Sequence, residues 1–278
     1  MRGALGIAAL GTGVIAAFAV GIPLAAARLR PPSELAALAL SYQPKYRVDQ
    51  RAGTCFLHSG FDDVALFRKD LCLDIVPGRK NFLVMGDSHA ANFAAAIAGR
   101  RPDIHVLQAT ASGCEATLHG TGAKRCTKLF EYVFNEFLPA HHLDAIVLAG
   151  RWPGASLQPL ERTIPYIRPF ADRIVVFGPI VEYDQPFPRL LARSITENAA
   201  DLPAQHLQPK QRTADRRYAA RVTRAGAEYY SVYDATCPKD ACTLWAAPGV
   251  PMQYDEHHLT EPGSNLVMDR FGPALFPN

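Results

Sequence analysis

The sequence predicts a three-layer α/β/α sandwich around a parallel sheet of five strands, preceded by one apolar N-terminal helix. Two observations carry this prediction. From about Arg51 onward, short apolar runs alternate with longer amphipathic stretches, the rhythm of repeated strand, crossover helix and parallel strand. Gly86, Gly113 and Gly150 each fall just after such a run, where folds of this kind place their ligand-holding loops.

Residues 1–28 form a segment of their own. Positions 3–27 are twenty-five residues without a charge. As a helix rising 1.5 Å per residue they span about 37 Å, enough to cross a bilayer. A cleaved signal peptide is the rival reading, because Arg2 gives a positive start and Ala25-Ala26-Ala27 suits a signal peptidase. The apolar core is long for that, which favours a membrane anchor. Arg2 and the amino terminus balance Arg28 and Arg30, so charge does not set the orientation. Residues 29–50, with Pro31-Pro32 and Pro44, read as a linker containing a short helix over 33–40.

The domain proper is expected at 51–278. Its predicted strands are 81–85, 104–109, 145–149, 174–177 and 228–233. Between them lie helical stretches at 90–98, 124–138, 157–169 and 208–225, with an ill-defined region over 188–200. A hydrophobic content of 49% with 20% charged residues describes a folded chain rather than a disordered one. The net charge of +3 is too small and the basic residues too dispersed to argue for a nucleic-acid partner, and none is expected.

Six cysteines fall into sequence-neighbour pairs: Cys55 with Cys72, Cys114 with Cys126, and Cys237 with Cys242. Six allow fifteen connectivities, but neighbour pairing places each bridge in a loop beside a predicted element. Bridges need an oxidising compartment, so the domain is expected outside the cytoplasmic membrane. The competing reading is a metal site. It lacks a C-x-x-C and histidines at zinc-ligand spacing, so no metal and no cofactor is expected.

The chemistry concentrates at two places. Met85-Gly86-Asp87-Ser88-His89 reads as a strand, a tight turn presenting a serine, and a helix whose N-terminus favours developing negative charge. Far downstream, Asp255 and His258 stand three residues apart. A serine hydroxyl is a poor nucleophile until a base takes its proton, and imidazole suits that task near neutral pH. His258 is therefore the expected base, and Asp255 the carboxylate that fixes its tautomer. Asp87 is read as a cap for the turn and helix start, and Asn92 lies one turn beyond Ser88 on the same helix face. His89, Asn92, Trp152 and His257 are expected to contact substrate, and Tyr183 and Asp184 either line the pocket or, as the favoured reading, form a loop. A blander reading makes Asp255 and His258 a surface pair before a helix capped by Thr260, with Pro262 in its first turn.

In this order, the motifs resemble the SGNH hydrolase superfamily. They are Gly86-Asp87-Ser88-His89, Ala111-Ser112-Gly113-Cys114, Gly150-Arg151-Trp152, Phe177-Gly178-Pro179 and Asp255-x-x-His258-Leu259-Thr260. They are most similar to the SGNH domain fused behind membrane-embedded acyltransferase-3 domains in bacterial O-acyltransferases of surface polysaccharides. The likeness runs from about Cys55 to the C-terminus. It implies a flavodoxin-like SGNH fold with Ser88 as nucleophile in a Ser-His-Asp triad, and an oxyanion hole using the backbone N–H groups of Ser88 and Gly113. The superfamily places an Asn after the third strand as a further donor, where this chain has Arg151. Either the Arg151 guanidinium takes that role or the hole has two donors; alternatively Arg151 pairs with an acidic neighbour and Trp152 simply packs.

The function implied is O-acyl transfer, with acetyl as the expected group, through a serine acyl-enzyme to a cell-envelope or secreted polysaccharide. The acyl donor would be delivered by a membrane acyltransferase-3 domain or protein. The acceptor would be a glycan, and the catalytic domain would face the periplasm or outside from the bacterial inner membrane. The alternatives are an extracytoplasmic carbohydrate esterase, whose triad chemistry is the same, and a non-catalytic envelope glycan-binding module.

Overall fold

The computed structural model describes residues 33–60, 63–152 and 157–276. The apolar segment at 3–27 lies outside them, and among the described residues no helix is long and apolar enough to cross a membrane.

The chain enters through α1 (Glu34–Ser41), where the Ser33 hydroxyl accepts from the Ala36 N–H, and the short α2 (Tyr46–Asp49). Next come β1 (Phe56–Leu57), α3 (Lys69–Cys72), β2 (Lys80–Gly86), α4 (Ser88–Arg100) and β3 (Ile104–Ala111). Helix α5 (Lys124–Tyr132) continues through a π-helical turn at Val133–Phe137 into α6 (Leu138–Ala140), followed by β4 (Leu143–Ala149). Then follow α7 (Gln158–Ile167), β5 (Ala171–Phe177), α8 (Phe187–Thr196), α9 (Leu202–Gln205), α10 (Lys210–Arg224) and β6 (Glu228–Tyr230). The last elements are α11 (Val232–Thr236), the hairpin of β7 (Trp245–Ala247) and β8 (Val250–Pro251), and α12 (Glu261–Leu275), kinked at Gly272.

The main sheet runs β1-β3-β2-β4-β5-β6 with every neighbouring pair parallel. It has six strands, not five. The addition is β1 beside β3, and at two residues it is too short to leave a periodic pattern. The predicted strand over 228–233 stops at Tyr230, because the Ser231 hydroxyl accepts from the Asp234 N–H and starts α11. The ill-defined region over 188–200 contains a regular helix, α8.

Along β2, Phe82 and Val84 enter one buried cluster with residues of α4, α8 and α12. Leu83 and Met85 enter the other with residues of α5, α7 and α10. Burial on both faces is why this strand reads as a continuous apolar run. All six cysteines are bridged, Cys55 to Cys72, Cys114 to Cys126 and Cys237 to Cys242.

The stretch expected to be a linker is packed from Ser33 onward. Ala36 and Ala39 of α1 are fully buried and α1 lies against α8, their small side chains allowing close approach. Gln50 is buried as well. The compact unit therefore extends well before Arg51.

Two features position the site. Gly86 is in register with Thr110 on β3 and Ala149 on β4, so the carboxyl ends of three adjacent strands are level. From these ends α4 departs over one face, while α5 and α7 depart over the other, which opens a crevice at the end of β2. The turn itself requires glycine. Gly86 has φ +143°, and a Cβ there would collide with the Ala149 carbonyl oxygen and come within 2.8 Å of Ala90 Cβ.

Candidate active site

Ser88 is the first residue of α4, and Asp87 caps that helix by accepting from the His89 N–H at 2.8 Å. The second Asp87 oxygen accepts from the Arg151 N–H at 2.7 Å, so one buried carboxylate joins the turn after β2 to the turn after β4. Burial raises its pKa, and the two N–H donors act against that rise.

Asp255 and His258 arrive on the segment between β8 and α12. The imidazole Nε2 of His258 lies 2.8 Å from Ser88 Oγ, and its Nδ1 lies 2.7 Å from Asp255 Oδ2. A carboxylate only accepts, so Nδ1 carries the proton and Nε2 is left to accept from the serine hydroxyl. The other Asp255 oxygen accepts from the N–H groups of His257 and His258 at 2.9 and 2.7 Å. Burial raises the Asp255 pKa, but these bonds and the His258 charge outweigh it and leave it below the ordinary value.

The segment is anchored at both ends. Thr260 caps α12 by accepting from the Gly263 N–H at 3.0 Å and donates to the Pro251 carbonyl at 2.9 Å. The Tyr183 N–H donates to the Glu256 carbonyl at 3.0 Å, and Gln253 Nε2 donates to the Val181 carbonyl at 2.6 Å. Tyr254 stacks flat on His258, ring centres 5.4 Å apart. Thr260 thus caps a helix with Pro262 in its first turn, and Asp255 and His258 reach Ser88 as well.

The remaining expected site residues divide. His257 is partly exposed beside His258, with ring centres 4.1 Å apart. His89 is buried and does not face solvent; its Nε2 bonds to His257 Nδ1 at 3.1 Å, while its own Nδ1 has no partner. Burial and the neighbouring imidazoles hold His89 well below the usual histidine range and His257 down at about 4. Nitrogens of His89, His257 and His258 lie within 4.8 Å of one another, close enough for a shared metal ion, but each ring already bonds within the site.

Asn92 is also buried rather than presented to substrate. Its Nδ2 donates to the Leu259 carbonyl at 3.1 Å and its Oδ1 accepts from Gln50 Nε2, which ties α4 to the residue after His258. Trp152 leaves the site altogether. Its indole is buried against Tyr218 and donates to the Phe177 carbonyl at 2.6 Å, the partner that a buried indole N–H requires.

Arg151, expected at the oxyanion hole, gives its backbone N–H to Asp87 and the Nε and Nη2 edge of its guanidinium to Glu182, at 2.8 and 3.1 Å. Burial would raise the Glu182 pKa, but the Arg151 bonds bring it below the ordinary value. Gly113 lies exposed at the end of β3 with φ +67°. Tyr183 stacks on Phe187 and Asp184 pairs with His206, as suits a loop.

Sequence reasoning missed Gln50, Glu182 and Tyr254. Gln50 and Glu182 carry no local signal, since they matter only through partners 42 and 31 residues away. Tyr254 was findable by its adjacency to Asp255.

A parallel α/β sheet with a capped serine turn after a central strand, facing an Asp-x-x-His segment, defines the SGNH hydrolase class. The profile of the SGNH domain (fused to AT3 domains) matches residues 54–273, and the chain belongs to that family. Among solved structures it is similar to the periplasmic domain of a lipopolysaccharide acetyltransferase from Salmonella ser. Paratyphi A. That match has TM-score 0.69 and 20% identity, covering 87% of this chain and 97% of that one. A carbohydrate acetylesterase from Sinorhizobium meliloti, Est24, aligns less closely, with TM-score 0.45 and 13% identity over 71% of this chain and all of the other. An aryl esterase from M. smegmatis gives TM-score 0.44 and 13% identity over 70% of this chain and 98% of that chain. No curated protein sequence matches.

Proposed function

We propose that this chain is an O-acyltransferase that carries an acyl group, acetyl by preference, on Ser88 and passes it to a hydroxyl of a cell-envelope or secreted polysaccharide. The observation that carries the proposal is the unbroken chain of bonds from Ser88 Oγ through His258 to Asp255, with spacings of 2.8 and 2.7 Å. Membership of a family described by its fusion to acyltransferase-3 domains supports transfer over simple hydrolysis.

In the first half-reaction Ser88 Oγ attacks the donor's acyl carbonyl and its proton passes to His258 Nε2. Asp255 stabilises the imidazolium as it forms. The tetrahedral oxyanion is held by the backbone N–H groups of Ser88 and Gly113, reinforced by the N-terminal end of α4. Arg151, its backbone N–H taken by Asp87 and its Nε and Nη2 by Glu182, adds positive charge to the site. Collapse expels the donor's leaving group, which takes the proton from His258. In the second half-reaction a sugar hydroxyl gives its proton to His258 and attacks the ester, and Ser88 Oγ leaves, taking that proton back from His258.

The donor is delivered by a membrane acyltransferase-3 domain or protein. Residues 3–27 hold the chain in the inner membrane, and the catalytic domain works on the periplasmic or outer side. Three disulfides agree with such an oxidising compartment.

The test is p-nitrophenyl acetate turnover by the purified chain, with mass spectrometry of the trapped acyl-enzyme. Acetylation should map to Ser88, and Ser88→Ala should remove both acetylation and turnover. Undiminished turnover in Ser88→Ala would sink the nucleophile assignment. Water as sole acceptor, with every glycan refused, would turn the reading toward the esterase.

A further inference from the structure

A cleft opens beside the loop that follows β3, and its lining begins at Gly113. It has a volume of about 590 Å³ and is walled by residues 113–121, the outer face of α5 and the start of α7. That volume falls within the range of about 300–1,000 Å³ that ligand sites occupy. It starts at the level of the serine turn, because β3 and β2 are in register at Thr110 and Gly86 and Gly113 lies three residues further on.

Its chemistry is mixed in a way that suits a sugar. Phe130 and Phe134 contribute buried rings, while Glu115, Thr121, Asn135 and Arg162 add a carboxylate, a hydroxyl, an amide and a guanidinium. Among the described residues neither the Glu115 carboxylate nor the Arg162 guanidinium has a hydrogen-bond or ion-pair partner. Glu115 is half-buried, and burial and then the charge of Asp87 raise its pKa, which puts it within electrostatic reach of the carboxylate beside Ser88.

The wall is also prepared in advance. The Cys114–Cys126 bridge ties the loop to α5, Arg125 Nη2 donates to the Ser112 carbonyl at 3.0 Å, and the Leu118 N–H donates to Thr163 Oγ1 on α7 at 2.8 Å. A loop fixed at three points loses little freedom when a ligand arrives.

We infer that this cleft is the acceptor subsite: it holds a sugar unit of the polysaccharide with its hydroxyls bonded to Glu115 and Arg162, and so presents a neighbouring hydroxyl to the acyl-enzyme on Ser88. This rests on the proposed transfer reaction and adds where, and by which groups, the acceptor is held. In the transfer step the sugar O–H bond breaks, its proton goes to His258, the new ester bond forms, the Ser88 ester bond breaks and His258 returns the proton to Ser88 Oγ.

The experiment measures how the acetyl-enzyme partitions. The full chain is supplied with p-nitrophenyl acetate and rising concentrations of methyl α-D-mannopyranoside, methyl α-D-galactopyranoside or methyl α-L-rhamnopyranoside, with ethanol as an acceptor that needs no site. The readout is acetyl-glycoside formed per p-nitrophenol released.

For at least one glycoside the ratio should saturate and exceed that for ethanol at equal concentration. It should fall at least tenfold in Glu115→Gln and in Arg162→Ala, the latter an exposed position where folding is not at stake. A ratio that rises linearly and matches ethanol, or that both variants leave unchanged, would overturn the subsite. So would variants that slow p-nitrophenol release with the ratio preserved, because the cleft would then serve the donor. Serine-dependent p-nitrophenol release in the unsubstituted chain separates these failures from failure of the proposed function itself.

Discussion

On one side of Ser88 the loop 112–123 is held by a disulfide, an arginine bonded to its backbone and a threonine of α7. On the other side the segment 252–260, which carries Asp255 and His258, is held by hydrogen bonds, by buried Met252 and Leu259, and by the Tyr254 ring. The first side is sensitive to reductant. On the second, His257 and His258 lie beside His89 and Asp255 accepts three hydrogen bonds, so protonation and single polar substitutions reach His258 before they reach the fold. The bridged loop and the hydrogen-bonded segment that carries His258 can therefore be disturbed separately.

The largest effect should come from the polar side. Asp255→Asn leaves a neutral amide that favours the wrong imidazole tautomer, and p-nitrophenyl acetate turnover should drop by about 10⁴-fold. The denaturant midpoint should move far less. A loss under tenfold would mean that His258 is oriented by the backbone and Tyr254 instead.

Next comes the covalent side. Replacing Cys114 and Cys126 together by Ser opens a loop of 12-residue separation and should cost about 2–3 kcal/mol in denaturant unfolding. Ser88 should still be acetylated. Loss of acetylation in a folded variant would show that the two sides are coupled.

Asn92→Ala tests the tie between them. It strands the Leu259 carbonyl and the Gln50 amide, and it should destabilise by about 1–3 kcal/mol. Turnover should fall with it, because Leu259 follows His258 directly.

A further effect is that of pH on stability. His89 and His257 have folded pKa values below the ordinary one, His257 about 4, so the unfolded chain binds more protons as pH falls through the usual histidine range. Their contribution is complete above about pH 6.5 and is lost as pH drops from there toward 4. Unfolding at a series of pH values should show that slope, and His257→Gln should flatten it. An unchanged slope in that variant would assign the dependence to other groups.

Much of this was legible because it is local. The β2 run shows through its two buried faces, the serine turn through Gly86 and the Asp87 cap, and the base through the three-residue spacing that lets Asp255 receive two backbone N–H groups and one ring nitrogen. What escaped is non-local or short. Two residues of β1 leave no pattern, and the alanines of α1 look like linker until α8 is found beneath them. Trp152 and Arg151 sit where a substrate contact belongs by position, but their side chains turn to Phe177 and Glu182, a choice that only the assembled strands determine.

The distance along the chain between Ser88 and its base has a consequence for biosynthesis. They are 170 residues apart, although 2.8 Å separates them in space. At about 5–20 residues per second, the ribosome adds the base roughly 10–30 s after the serine. Throughout that interval the nascent chain carries the Ser88 hydroxyl without the imidazole that lies beside it in the folded protein. In the proposed reaction, acceptance of an acyl group reports that synthesis has passed His258 and that both edges of the site have met.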